Sequence, residues 1–199
     1  MMKVLQKLAK KLGYEEGEAL QFFNKRICGI WLIWVGITII AAAVVGGKYF
    51  IHPIVFLVGY FVGFKFILGS KSVRKKYSFG PMSKFQSKVS NLSIVLLFVL
   101  MGLISGRYFE TYDYRMIWLG ALLATGIHFI PFALVHGKSM IYLSIPLVII
   151  ALFGFIQAET PFIYIAVADG AVKVLFGIGL FLSKNPGMSN TSSHYSKNV

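Results

Sequence analysis

A chain of 199 residues that is 57% hydrophobic and only 14% charged is far from the balance of a soluble domain, where about a quarter of residues are charged. Its net charge of +13 would suit a nucleic-acid binder, but the basic residues flank apolar stretches, and no polar domain is left over to fold around nucleic acid. Lysine and arginine facing anionic headgroups account for that charge. The chain therefore reads as all-α: a polytopic helical membrane protein with about six transmembrane helices and a short N-terminal amphipathic helix.

Residues 1–26 lack the apolar core of a signal peptide. Val4, Leu5, Leu8 and Leu12 recur at helical spacing, with Lys3, Lys7, Lys10 and Lys11 on the other side. This pattern predicts a helix lying on the membrane surface, or equally one packed under its own bundle, ended by Gly13. Of the six apolar stretches that follow, five are roughly 17–21 residues long, close to the length that crosses about 30 Å of hydrocarbon. They are expected at 27–45, 50–68, 92–106, 116–135, 140–156 and 162–182, the third being the shortest. A basic loop is expected over 71–88 and a mixed-charge loop over 107–115. The Ser- and Asn-rich tail over 183–199 is expected to be disordered.

The positive-inside rule orients the bundle. With the N-terminus in the cytoplasm, fifteen basic residues fall in cytoplasmic segments, against Lys48, Arg107 and Arg115 outside; Lys65 and Lys173 lie within spans. Both termini are thus expected in the cytoplasm of a cell membrane. Sixteen lysines against four arginines point to an AT-rich bacterial genome. Trp31 and Trp34 near the inner interface, and Tyr49, Tyr112, Tyr114 and Trp118 near the outer one, agree with that orientation.

Charges inside spans are the first place to look for function. Asp169 and Lys173 stand four apart in the sixth span, so they share a helix face and can pair. At the helix centre the two would cost roughly 5–7 kcal/mol, which the twelve Leu, Ile, Val and Phe residues of 162–182 about match with roughly 4–7 kcal/mol. Insertion is near break-even unless the pair is satisfied inside the bundle. His128 precedes Pro131 by three residues in the fourth span, where a proline frees a backbone carbonyl. Counting residues from the span ends places His128, Asp169 and Lys173 within roughly 10 Å of one depth, a candidate intramembrane polar site. Each also has a plain packing role open to it: a buried pair that fixes helix register, and a histidine bridging two helices.

Other features carry less. Cys28, the single cysteine, reads as a small buried apolar residue, and Lys65 as a side chain reaching the headgroups. Gly59-x-x-x-Gly63 and Gly102-x-x-x-Gly106 permit close helix approach. Ile30-Trp31-Leu32 and Ile117-Trp118-Leu119 open the first and fourth spans, three matching residues that do not establish an inverted repeat. There is no His-Glu-x-x-His and no Gly-x-Ser-x-Gly. Glu15-Glu16 has Leu20 where a Glu-Glu-x-x-x-Arg protease signature needs arginine, and Ser105 follows Gly102 by three residues, outside the rhomboid spacing. The expectation is a non-enzymatic protein without a cofactor. It would act in small-solute or proton-coupled transport or as a transporter subunit, or else as a membrane-embedded partner (an immunity, sensor or assembly factor) using its basic loop on lipid or protein.

The orientation can be checked by impermeant thiol labelling of intact cells in a Cys28→Ser background. A cysteine replacing Tyr112 should label from outside and one replacing Lys76 should not; the reverse pattern would refute the cytoplasmic assignment.

Overall fold

The computed structural model of the protein describes residues 10–15 and 20–184, and every regular element among them is helical. In chain order these are α1 (Lys25–Val44), α2 (Pro53–Gly63) continued by a π-turn (Phe64–Leu68), α3 (Lys71–Tyr77), α4 (Lys84–Ser105), α5 (Tyr114–His136), α6 (Ser139–Ile156) and α7 (Phe162–Phe181). Five of them, α1 and α4 to α7, are long and apolar enough to cross a bilayer. The pair α2–α3, bent by 59° at its break, meets the same test only when its two helices are taken together as one span, which gives up to six. Large side chains such as Phe61, Phe98, Leu103 and Ile149 are exposed on the outside, a surface stable only against hydrocarbon.

Hydrogen bonds tie the two ends of the bundle. At one end the His52 amide donates to Ala42 O (2.9 Å) and the Trp118 indole to Tyr49 O (2.9 Å). At the other, called the basic end below, Arg26 Nε donates to Ser183 O (3.0 Å) and the Phe79 amide to Phe23 O (3.0 Å). The start of α1, the end of α2–α3 and the end of α7 therefore meet at one end. Two arginines cap helix ends whose carbonyls have no intrahelical donor. Arg26 does so for α7. Arg115 donates to Gly154 O, Gln157 O and Thr160 O around the end of α6, at 3.3, 3.1 and 3.0 Å.

Two expectations change. The third span is no short helix over 92–106 but the 22-residue α4, which starts eight residues earlier. Ser83 Oγ accepts from the Gln86 amide and Gln86 Oε1 accepts from the Ser83 amide, both at 3.2 Å, a reciprocal cap that nucleates the helix. The buried Gln86 amide group also donates to Gln21 O (3.0 Å) and Leu134 O (3.3 Å), which ties this turn to the segment before α1 and to the end of α5. The expected loop over 71–88 is accordingly mostly helical: α3, capped by Ser70 Oγ accepting from the Val73 amide, and the first turns of α4.

Most of the predicted amphipathic N-terminal helix, and the tail beyond residue 184, lie outside the described residues. Lys10 and Lys11 are helical and Gly13, at φ +92°, ends that helix as expected. Leu12, Tyr14 and Leu20 pack against the buried Phe85, Val89 and Val135, so this part of the segment lies under the bundle.

The tightest seam runs between α1 and the antiparallel α7. Gly29 and Gly36, two turns apart, oppose Gly177 and Gly170. A Cβ on Gly36 would stand 2.5 Å from Gly170 O, and one on Gly29 2.5 Å from Gly177 O. Of the two Gly-x-x-x-Gly motifs, 59–63 packs against Thr38 and Trp34 of α1, where the Trp34 indole donates to Gly59 O (2.7 Å). The 102–106 motif faces open space.

Gly36→Val should therefore lower stability in detergent by about 1–3 kcal/mol or more, because backbone rather than a movable side chain blocks the new methyls. Gly102→Val should leave the thermal melt nearly unchanged. Equal effects at the two positions would refute the seam.

Candidate functional site

Two apolar clusters stack along the bundle. One joins Val35 and Ile39 of α1, Leu119 and Leu122 of α5, Ala151 of α6 and Ile165 and Ala166 of α7. The other, toward the basic end, joins Cys28 and Leu32 of α1, Phe129 of α5, Met140, Leu143 and Leu147 of α6 and Leu180 of α7. Asp169 and Lys173 fall between the two levels on α7, and Thr125 and His128 fall between them on α5. The predicted polar site is therefore a polar layer interrupting an otherwise apolar core. Cys28, by contrast, is simply part of the packing, as expected.

Asp169 and Lys173 are sealed from solvent, at 0% and 1% relative exposure, and Lys173 Nζ is hydrogen-bonded to Asp169 Oδ2 as an i,i+4 ion pair. They sit on either side of Gly170, whose backbone is pressed against Gly36 of α1, so the pair borders the α1–α7 seam. The second carboxylate oxygen, Oδ1, is buried and has no hydrogen-bond partner among the described residues. An unsatisfied buried acceptor costs about 1–3 kcal/mol, and more when charged.

His128 is buried on α5 and its Nδ1 lies 2.5 Å from Thr125 O. A carbonyl can only accept, so Nδ1 carries a proton and donates it; in the neutral form of the ring Nε2 then holds the lone pair. The ring packs against Phe129 and Phe132, with centroids 4.3 and 5.4 Å apart, and lies within electrostatic range of Lys173. His128 is thus brought to the same layer as the ion pair without being hydrogen-bonded to it. Nearby, Ser144 Oγ of α6 donates to Gly126 O (2.7 Å), tying α6 to α5 one turn before Pro131. The ring of Pro131 has no N–H to give the carbonyl of Ile127.

Sequence reasoning found the three polar residues but missed the glycine seam beside them. Glycines seven apart on two helices become visible as a pair only once the helices are known to meet. It also passed over His136 at the end of α5, which is buried, stacks on Phe132 at 5.5 Å and has an unpartnered Nδ1. Among the described residues, no group of three His, Cys, Asp or Glu side chains could hold a metal ion.

No curated protein and no solved structure is significantly similar to the chain. One family's sequence profile matches residues 15–190, which takes in α1 to α7 and the polar layer. By that match the chain belongs to the family described as "Family of unknown function (DUF6609)".

Proposed function

We propose that this is a non-enzymatic membrane carrier, or a carrier subunit, in which Asp169, Lys173 and His128 bind and release a proton as a small solute moves, with the basic end of the bundle in the cytoplasm. The observation that supports this most is the unpartnered Asp169 Oδ1 in a fully buried ion pair. A pair kept only to fix packing gains from satisfying both oxygens. An open acceptor, in the same layer as a histidine whose second ring nitrogen can take or give a proton, is what a site that takes up protons needs. Intramembrane ionisable groups facing a bundle interior serve such relays widely.

A second reading has its own support. Lys71, Arg74, Lys75 and Lys76 on α3 are exposed, and none has a carboxylate partner among the described residues. A membrane-embedded partner protein would use this surface and would not need the buried layer for more than stability.

The two separate on one set of variants. Asp169→Asn or Lys173→Met alone should destabilise the protein by about 3–5 kcal/mol, because the remaining charge is buried unpaired. The double variant should recover much of that loss. Reconstituted into vesicles with an internal pH dye, the wild type should pass protons under an imposed potential and the double variant, at normal abundance, should not. Proton flux unchanged in the double variant would overturn the carrier reading and favour the partner role. In that case, neutralising α3 should abolish complementation of a deletion strain.

A further inference from the structure

At the basic end, a groove of about 200 Å³ opens on the outer surface between α1, the π-turn of α2 and the end of α7. It is lined by Ile30, Ile33, Trp34, Ile37, Ile67 and Phe181. The one polar atom these side chains carry, the Trp34 indole nitrogen, is already donated to Gly59 O. The groove therefore offers water nothing to bond, and its natural content is hydrocarbon. From Ile30 to Ile37 it follows α1 for about 10 Å, against about 15 Å for one leaflet's half of the hydrocarbon core. A helix about 10 Å across would need more room; a single acyl chain would not.

The mouth of the groove is basic. Arg74 of α3 donates to the carbonyl of Leu68 (3.3 Å), the residue after Ile67. Tyr77, one turn further along α3, packs its ring 5.6 Å from that of Phe181. The bend at Gly69-Ser70 thus lays α3 across the end of the groove, with Arg74, Lys75 and Lys76 exposed beside it. Lys65, two residues before Ile67, is exposed too, and Arg26 stands one turn before Ile30 with its guanidinium over Phe79 at 4.6 Å. Between Glu18 and Glu110 the chain has no acidic residue, and among the described residues none of Lys65, Arg74, Lys75 and Lys76 forms an ion pair with a carboxylate. The π-turn falls where Ile67 lines the groove, and such turns recur at functional sites.

We infer that this is a binding site for one anionic phospholipid. One of its acyl chains lies in the groove and its headgroup phosphate is held by Arg74 and the neighbouring basic side chains of α3 and Lys65. The site is independent of what the buried polar layer does.

The test uses the full-length protein in detergent, titrated with phosphatidylglycerol and with phosphatidylcholine of the same chains, and counts bound lipids by native mass spectrometry. The first phosphatidylglycerol should bind at least roughly tenfold more tightly than phosphatidylcholine, because several cations face its phosphate. Combined Arg74→Gln, Lys75→Gln and Lys76→Gln should bring the two lipids level. Ile37→Trp, at a half-exposed position where the extra ring costs the fold little, and Ile67→Trp at the other end should each remove the first bound lipid. Monodisperse elution serves as the check on folding, and if Ile67→Trp misfolds, Ile37→Trp decides alone. Equal binding of the two lipids by the wild type would overturn the proposal. So would a first lipid that survives Ile37→Trp, or stepless uptake indicating only a surrounding lipid belt.

Discussion

A helix with an aspartate and a lysine near its middle gains almost nothing by entering hydrocarbon alone, and α7 is such a helix. What makes it a stable part of the bundle is that its two charges meet each other and are then covered from every side. Beside the pair, α1 and α7 meet backbone to backbone: Gly36 and Gly170 bring the two chains so close that no side chain fits between them. The charges and the tightest helix contact therefore fall at the same level of α7. With both groups sealed from solvent, neither charge can be left without the other.

The bundle handles charge differently at its ends and at its middle. At the ends, positive groups are put to structural use: Arg26 and Arg115 donate to carbonyls that helix geometry leaves open, around the ends of α7 and α6. The exposed cations of α3 are left to whatever lies outside. At the middle no charge is left to the surroundings, and yet one acceptor, Asp169 Oδ1, goes unused. Buried polar atoms without a partner among the described residues occur at the ends too, on His52, His136 and Ser183, but Asp169 Oδ1 belongs to a carboxylate, for which an empty site costs more.

Most of the architecture is legible in the sequence because the signal is crude. Five of the six expected spans begin within a few residues of the observed helices, since apolar length alone sets them. The exception shows what hydropathy does not see. Lys84, Gln86, Ser87 and Lys88 read as loop, but Ser83 and Gln86 cap each other and Gln86 is buried, so the helix runs on through polar residues. The ion pair was readable from its spacing of four, and the level of His128 from counting residues. The two Gly-x-x-x-Gly motifs look alike as sequence, yet one packs on Trp34 and Thr38 and the other faces open space. The glycines that matter most are seven apart on helices from opposite ends of the chain, and only the tertiary structure pairs them.

That pairing has a consequence for biogenesis. A ribosome delivers α1 first and α7 last, so the glycine face of α1 must wait through the synthesis of every other helix before its partner exists. Until then its bare backbone flank is open to lipid or to an assembly factor. A transcript cut short anywhere before residue 162 yields a product whose first helix can never be covered. Docking of α7 thus does two things in one step: it buries the charges that α7 carries and closes the glycine face of α1.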